Sequence, residues 1–209
     1  MGHSEIEIIY KTVGVWKENS YLLTFEGKSW IIDPGENFDE LVAFFGNRTF
    51  VGIINTHGHF DHLGAVRQFQ ETHKIPFYIH SKDKRLVSQA NLYRKMAGDA
   101  TIYPTPAIDV YLDDLDPISI GSQIIRIHHI PGHTEGSVAF EIGNNLIVGD
   151  LLFENTVGRT DLPGGNKEKL FSSVNYVIRN FKNFVIYPGH GDAFILTDDA
   201  IRVFQEKLL

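Results

Sequence analysis

Cysteine is absent from all 209 residues. Its absence removes disulfides, iron–sulfur clusters, thiolate nucleophiles and Cys-ligated zinc together, so any chemistry runs through histidine, carboxylates and water. Basic runs are missing too. Lys and Arg number 19 against 26 Asp and Glu, a net charge of −7 with pI near 5.8, which argues against a nucleic-acid partner. No stretch approaches the roughly 18 consecutive apolar residues of a transmembrane helix, and the Ser- and Glu-bearing start is unlike a signal peptide. A cytoplasmic protein with no membrane partner is therefore expected. No short-period repeat, low-complexity tract or linker divides the chain, and its 43% hydrophobic content supports one domain over residues 1–209.

Metal-ligating residues, by contrast, are concentrated. His57-Gly58-His59-Phe60-Asp61-His62 sets three imidazoles and a carboxylate in one short segment, directly after the apolar run Val51–Asn55. That run reads as a buried strand, and His57 and His59, two apart on extended backbone, point the same way. Asp61 and His62 fall where the chain turns toward a helix, so one loop can feed two ions. Borderline cations such as Zn²⁺ accept this mixture, and Fe and Mn tolerate it. Three further candidates sit at strand ends or turns: His133 in Pro131-Gly132-His133-Thr134, Asp150 after Ile147-Val148-Gly149, and His190 in Pro188-Gly189-His190-Gly191. A carboxylate closing an apolar strand is costly unless paired or metal-bound. Five His and two Asp suffice for two divalent ions with one bridging carboxylate and a shared water, whose pKa such ions lower from 15.7 toward about 7.

Periodicity and turn residues place strands at Ile6–Val13, Tyr21–Phe25, Trp30–Ile32, Val51–Asn55, Pro76–Ile79, Gln123–Ile130, Ser137–Ile142, Leu146–Val148 and Phe184–Tyr187. Helices are predicted over Asn37–Phe45, Leu63–His73, Ser81–Arg94 with Ser81 as N-cap, Asn166–Phe181, and from a Thr197 cap to Leu209. The two-proline segment Ala100–Pro106 reads as a loop overhanging a cleft. Two strand-rich halves, each ending in helices, imply two packed sheets with helices outside. Tyr93, Tyr103, Tyr111 and Tyr187 are pocket-lining candidates without assignment. His73, His80, His128 and His129 read as solvated or structural, and Asp33 as a brace for a turn or for the metal-bearing loop.

Taken together, Thr56-His57-Gly58-His59-Phe60-Asp61-His62, Pro131-Gly132-His133-Thr134, Gly149-Asp150 and Pro188-Gly189-His190-Gly191 resemble the metallo-β-lactamase superfamily, over most of the chain. The resemblance implies an α+β fold, a four-layer αββα sandwich with the site at one edge of both sheets. By position, His57, His59 and His133 resemble the first metal site, Asp61, His62 and His190 the second, and Asp150 the bridge. Without cysteine, and with a bridging acid, the chain departs from the zinc β-lactamases, so antibiotic hydrolysis is not expected. Gly158-Arg159-Thr160-Asp161 with Thr134-Glu135-Gly136-Ser137 resembles the glyoxalase II-like branch, the hydroxyacylglutathione hydrolases.

That branch implies a small-molecule thioester substrate such as S-lactoylglutathione, two divalent ions, Zn²⁺ foremost, and Asp61 as a catalytic group. Arg159 falls where the family has a basic residue contacting glutathione; Asp161 stands where the long enzymes have a substrate-contacting Tyr. The C-terminal helical domain that helps the long enzymes hold glutathione is not expected. The same segment also resembles persulfide dioxygenases, which use one Fe²⁺ at the positions of His57, His133 and Asp150. A lactonase, and a metal-binding module without catalysis, complete the readings open at this point.

Overall fold

The computed structural model describes residues 6–114 and 116–207. The first sheet holds β1 (Glu7–Val13), β2 (Glu18–Phe25), β3 (Lys28–Ile32), β4 (Thr49–Ile54), β5 (Phe77–Ile79) and β6 (Val110–Tyr111), in that spatial order. β1, β2 and β3 pair antiparallel, and β3 through β6 pair parallel, so the meander at the start of the chain passes into crossover connections. The second sheet starts with β7 (Ile118–Ile120), β8 (Gln123–His129), β9 (Val138–Ile142) and β10 (Asn145–Gly149). A small hairpin of β11 (Leu152–Phe153) and β12 (Thr156–Val157) follows, and β13 (Val185–Pro188) and β14 (Phe194–Ile195) complete the sheet in the order β14-β13-β10-β9-β8-β7.

Alternation along β2 shows how the layers are stitched. Leu22 faces outward into a cluster with Ile31 and Ile53, covered by Leu41 and Phe45 of α1 (Phe38–Phe45) and Val66 and Phe69 of α2 (Val66–His73). Its neighbours Tyr21 and Leu23 face the opposite way, onto Ile125, Ile127, Phe140 and Ile147 of the second sheet. Two shorter helices, α3 (Lys84–Ser88) and α4 (Ala90–Met96), lie between β5 and β6 in the chain. The outer face of the second sheet, with Leu146, Val148 and Ile186, packs on Leu170, Val174 and Val177 of α5 (Lys167–Asn180) and Phe204 of α6 (Asp198–Lys207). Burying such a side chain fully contributes about 1.5–3 kcal/mol, which is why three apolar layers hold two sheets and their helices together.

Helix–sheet–sheet–helix layering is therefore the architecture the strand pattern implied. Several boundaries differ. β2 begins at Glu18, because Glu18–Ser20 pair with Lys11–Val13 although they are polar. The helix predicted from Leu63 starts three residues later, as α2 at Val66; Leu63–Ala65 form a turn, preceded by a 3₁₀ turn at Phe60–His62. Ser81–Arg94 is broken into a 3₁₀ turn, α3 and α4, with the break at Gln89. The cap there is His80, whose Nδ1 accepts from the Lys82 N–H at 3.3 Å, whereas the Ser81 hydroxyl donates to Asp113 at 2.7 Å. Asn166 and Thr197 do cap the last two helices. Leu208 and Leu209, assigned to the terminal helix, lie outside the described residues. Strands β6, β7, β14 and the small hairpin are two or three residues long and carry too little alternation to be read from sequence.

Candidate metal centre

The C-terminal ends of β3, β4, β8, β10 and β13 converge on one edge of the sandwich, and each is followed within a few residues by a ligand-type side chain. Asp33 follows β3, His57 and His59 follow β4, His133 follows β8, Asp150 follows β10 and His190 follows β13. The 3₁₀ turn adds Asp61 and His62. Potential ligand atoms of His57, His59 and His133 lie within 4.8 Å of one another, and so do those of Asp61, His62 and His190. Nδ1 of His59 faces Nε2 of His133 at 2.8 Å. Asp150 lies between the groups: Oδ1 is 3.6 Å from Nε2 of His62, and Oδ2 is 3.4 Å from Nε2 of His133 and 3.6 Å from Nε2 of His190. All seven ligand candidates are thus brought together.

In four of the five histidines, all but His59, the second nitrogen is already engaged, which aims the ring. Nδ1 of His57 meets the Thr56 hydroxyl at 3.0 Å, Nδ1 of His62 meets Asp33 at 3.1 Å, Nδ1 of His133 meets the Arg159 carbonyl at 2.9 Å, and Nδ1 of His190 meets the Lys17 carbonyl at 3.1 Å. Fixing one ring nitrogen in this way sets the tautomer and direction of the other. Nε2 of His57, Nε2 of His62 and Oδ1 of Asp150 are buried without a protein partner, a costly state that a cation bound among them relieves. A divalent metal therefore fits the residues present.

Electrostatics agree with that fit at His57, His59 and Asp61. Burial pushes His57 well below its ordinary value and His59 down to about 3, so both rings are neutral and ligand-ready. For His62 burial also disfavours charge, but the Asp61, Asp33 and Asp150 carboxylates outweigh it and the pKa rises. Burial alone would raise Asp61; His62, His190 and His59 instead hold it well below the usual carboxylate range, and it stays ionised.

Three carboxylates and an amide outside the ligand set hold this geometry. Asp33 acts as the brace expected of it, accepting the Thr56 N–H at 2.7 Å and hydroxyl at 2.5 Å. Asp83, unanticipated, joins two ligand loops. It accepts the Gly58 N–H at 2.8 Å beside His57 and His59, and the Thr134 hydroxyl at 2.7 Å and Gly136 N–H at 2.8 Å beside His133. Buried Glu18 places Oε1 3.7 Å from Nδ1 of His62, and burial raises its pKa strongly. Asn19 donates from its side-chain amide to the Pro188 carbonyl at 3.1 Å and the Gly191 carbonyl at 2.7 Å, gripping the His190 loop from the other sheet. The only local hint of Asp83 is a carboxylate a few residues beyond a strand, the position Asp33 also occupies.

Close approach explains Gly189. A Cβ there would sit 2.1 Å from Oδ1 of Asp150 and 2.9 Å from Cε1 of His62. Gly189→Ala is expected to push the Asp150 carboxylate aside and weaken metal binding by about 10–100-fold, the range seen when groups supporting ligands are disturbed. Metal titration of the chelated variant against the parent checks this.

The centre opens into a cleft of ≈ 870 Å³. Tyr93 lines it, whereas Tyr103 stacks on Arg94 at 4.5 Å, Tyr111 is exposed on β6, and Tyr187 packs edge-on against Tyr21 between the sheets. The Ala100–Pro106 loop contributes no residue to the cleft; it covers α4 from the far side, lining a minor pocket with Arg94. Arg159 reaches the cleft wall, but its guanidinium is paired in two-pronged fashion with Asp161 at 2.7 and 2.8 Å. His128 binds Glu141 and Tyr176, His129 stacks on His80, and His73 packs against Phe50, all structural contacts.

A sandwich of two mixed sheets with outer helices, carrying a buried His-rich metal site at its strand ends, defines the class. The metallo-beta-lactamase superfamily model matches residues 13–190, and the chain belongs to that superfamily. It is 36% identical over 192 residues to the probable metallo-hydrolase MJ0888 of Methanocaldococcus jannaschii, covering 85% of this chain and 89% of the relative. Among solved structures, TTHA1623 in a di-iron-bound form is 34% identical with a TM-score of 0.82, covering 90% of this chain and 94% of that one. BLEG-1, a B3 metallo-beta-lactamase, is 29% identical with a TM-score of 0.83, covering 91% and 94%. Among the described residues no helix is long and apolar enough to cross a membrane.

Proposed function

We propose that the protein is a metal-dependent hydrolase of small acyl compounds, thioesters foremost. What carries this reading is the convergence of seven ligand groups at one end of an open cleft, five of them (His59, Asp61, His133, Asp150 and His190) lining it and His57 and His62 buried behind them with unpartnered Nε2 atoms. His57, His59 and His133 would hold one ion and Asp61, His62 and His190 a second, with Asp150 placed to reach both groups. The likeness to a probable metallo-hydrolase and to a protein solved in a di-iron-bound form supports a hydrolytic centre in which zinc and iron are both candidates. Bound divalent ions supply Lewis-acid polarisation of a carbonyl and acidify water at neutral pH.

The chain's own residues do the positioning. Asp61, ionised and lining the cleft, accepts a hydrogen bond from the attacking water and orients it. The Nδ1 contacts keep the imidazoles from turning as charge develops. Across the whole reaction a C–O bond forms from water and the C–S bond breaks. One proton of water goes to the departing thiolate, and the other leaves with ionisation of the product acid.

Elemental analysis of purified protein, with S-lactoylglutathione and nitrocefin hydrolysis followed on the same sample, tests the reading. About two ions with thioester turnover supports it. Nitrocefin turnover alone would move the substrate to β-lactams, a reading the likeness to BLEG-1 favours. About one iron, with oxygen consumed on glutathione persulfide, would replace it with the dioxygenase. Asp61→Asn is expected to lower kcat by about 10²-fold or more while melting remains cooperative, as befits a group acting on the reacting water. A fully active variant would remove Asp61 from the mechanism.

A further inference from the structure

Resting on the hydrolase reading, we infer that the cleft selects an apolar acyl group, several methylenes longer than lactoyl, and that the charged groups of glutathione contribute little to recognition. The polar atoms of the cleft are gathered at the metal end. Beyond them, Trp16, Phe60, Tyr93 and Met96 line the cleft with Phe153 and Leu162. A volume near 870 Å³ suits a ligand considerably larger than a lactoyl group. Tyr93 adds ring rather than hydroxyl, because its OH donates to Gln89 at 2.8 Å.

That apolar side is built, not incidental. Phe60 is held between Trp16, edge-on at 5.3 Å, and the Arg94 guanidinium, 5.0 Å from its ring centroid. Arg94 is buried within α4, the helix that carries Tyr93 and Met96 to the cleft. It donates to the Phe60 carbonyl at 2.9 Å, to Asp99 at 2.7 Å and to Glu36, which in turn accepts the Val15 N–H at 3.2 Å beside Trp16. One buried cation thus ties together three segments that supply apolar side chains. Its charge is consumed by Glu36 and Asp99, so it offers none to a substrate.

Counter-charge is otherwise scarce. Arg159 is the single Lys or Arg among the cleft-lining residues, and Asp161 already neutralises it. The two carboxylates of a glutathionyl group would compete with Asp161 for the Arg159 guanidinium, with Asp61 and Asp150 also lining the cleft. A hydrocarbon chain has no such competitor and gains by leaving water.

The test uses the full-length, metal-loaded protein and two series of acetyl, butyryl, hexanoyl and octanoyl thioesters, one on neutral N-acetylcysteamine and one on glutathione. The expected result is a rise in kcat/KM of about three- to fourfold per methylene, the change that burial of one CH₂ implies, at least as far as hexanoyl and with no advantage for the glutathione carrier. Met96→Glu, at a residue 73% exposed and outside the buried core, is expected to flatten that slope. Product binding gives a readout independent of turnover: octanoate should bind more than tenfold tighter than butyrate, followed through tryptophan fluorescence. Slopes that are flat or falling, with short thioesters still hydrolysed, overturn the acyl inference and leave the hydrolase reading standing. No turnover of any thioester while octanoate still binds preferentially overturns the thioester reading and keeps the apolar subsite. Equal binding of the two acids overturns the subsite.

Discussion

Asp150→Ala should cost the centre one of the two proposed ions and reduce hydrolysis by roughly 10³-fold or more, beyond the 10²–10³ that a single oxyanion donor carries. Asp150 approaches His62 with one oxygen and His133 and His190 with the other, so it belongs to both halves of the centre. Removing it takes away a ligand from each proposed ion and the negative charge that offsets their mutual repulsion. Its side chain is largely enclosed at the end of β10, and alanine there leaves the strand pairing untouched. The loss should therefore appear in metal stoichiometry and turnover well before it appears in the melting temperature. Two ions per chain and more than a tenth of parental activity in the alanine variant would show that Asp150 is not shared between them. Under the single-iron alternative, in which His57, His133 and Asp150 form the set, the same substitution would empty the site altogether, so the residual metal count also separates the two occupancies.

Those ligand candidates stand out in the sequence because each advertises itself locally. His57 to His62 crowd into one short segment, and His133 and His190 each follow Pro-Gly, which ends a strand and turns the next side chain outward. Asp150 closes an apolar strand where an unpaired carboxylate has no structural reason to be. The same logic made the layers legible, since the period-two alternation of β2 separates residues bound for two different cores. What supports the ligands could not be read in this way. Arg94 meets Glu36 across 58 positions, and Asn19 meets Pro188 across 169. The first pair exists only once α4 has packed beside the loop after β3, the second only once the two sheets are stacked, and periodicity carries no trace of either. The break at Gln89 is hidden for a related reason: Ser81 to Arg94 has acceptable helical composition throughout, and the tertiary contact that Arg94 of α4 makes with the Phe60 carbonyl leaves no local mark. Arg159 was picked out for its side chain, yet its firmest contact with the centre is its main-chain carbonyl, which accepts from His133.

Asp83 shows the energetic side of that hidden support, and its replacement should have the largest effect on folding. Its two oxygens accept from Gly58, Thr134 and Gly136, so one fully buried carboxylate ties the loop bearing His57 and His59 to the loop bearing His133. Burial acts to raise its pKa, the cost of placing a carboxyl there, and the three donors act against it. In Asp83→Ala those donors lose their partner in a buried site, a loss of about 3–5 kcal/mol by analogy with breaking a buried charged pair. For a chain of this size each kcal/mol is about 2–4 °C, so the melting temperature should fall by roughly 10 °C. Metal affinity should weaken as well, by about 10–100-fold, because the two loops no longer share a fixed point. Asp83→Asn separates the effects: its amide oxygen can accept from some of the donors, but its NH₂ opposes the rest, so stability should recover in part while affinity stays reduced. The measurement is metal titration well below the melting point of each variant, alongside thermal unfolding of the chelated and loaded forms. If alanine lowers stability alone and affinity is unchanged, Asp83 is a packing element of the fold. If both fall together and asparagine restores only the first, the sandwich edge depends on this carboxylate to keep His57 and His59 within reach of His133.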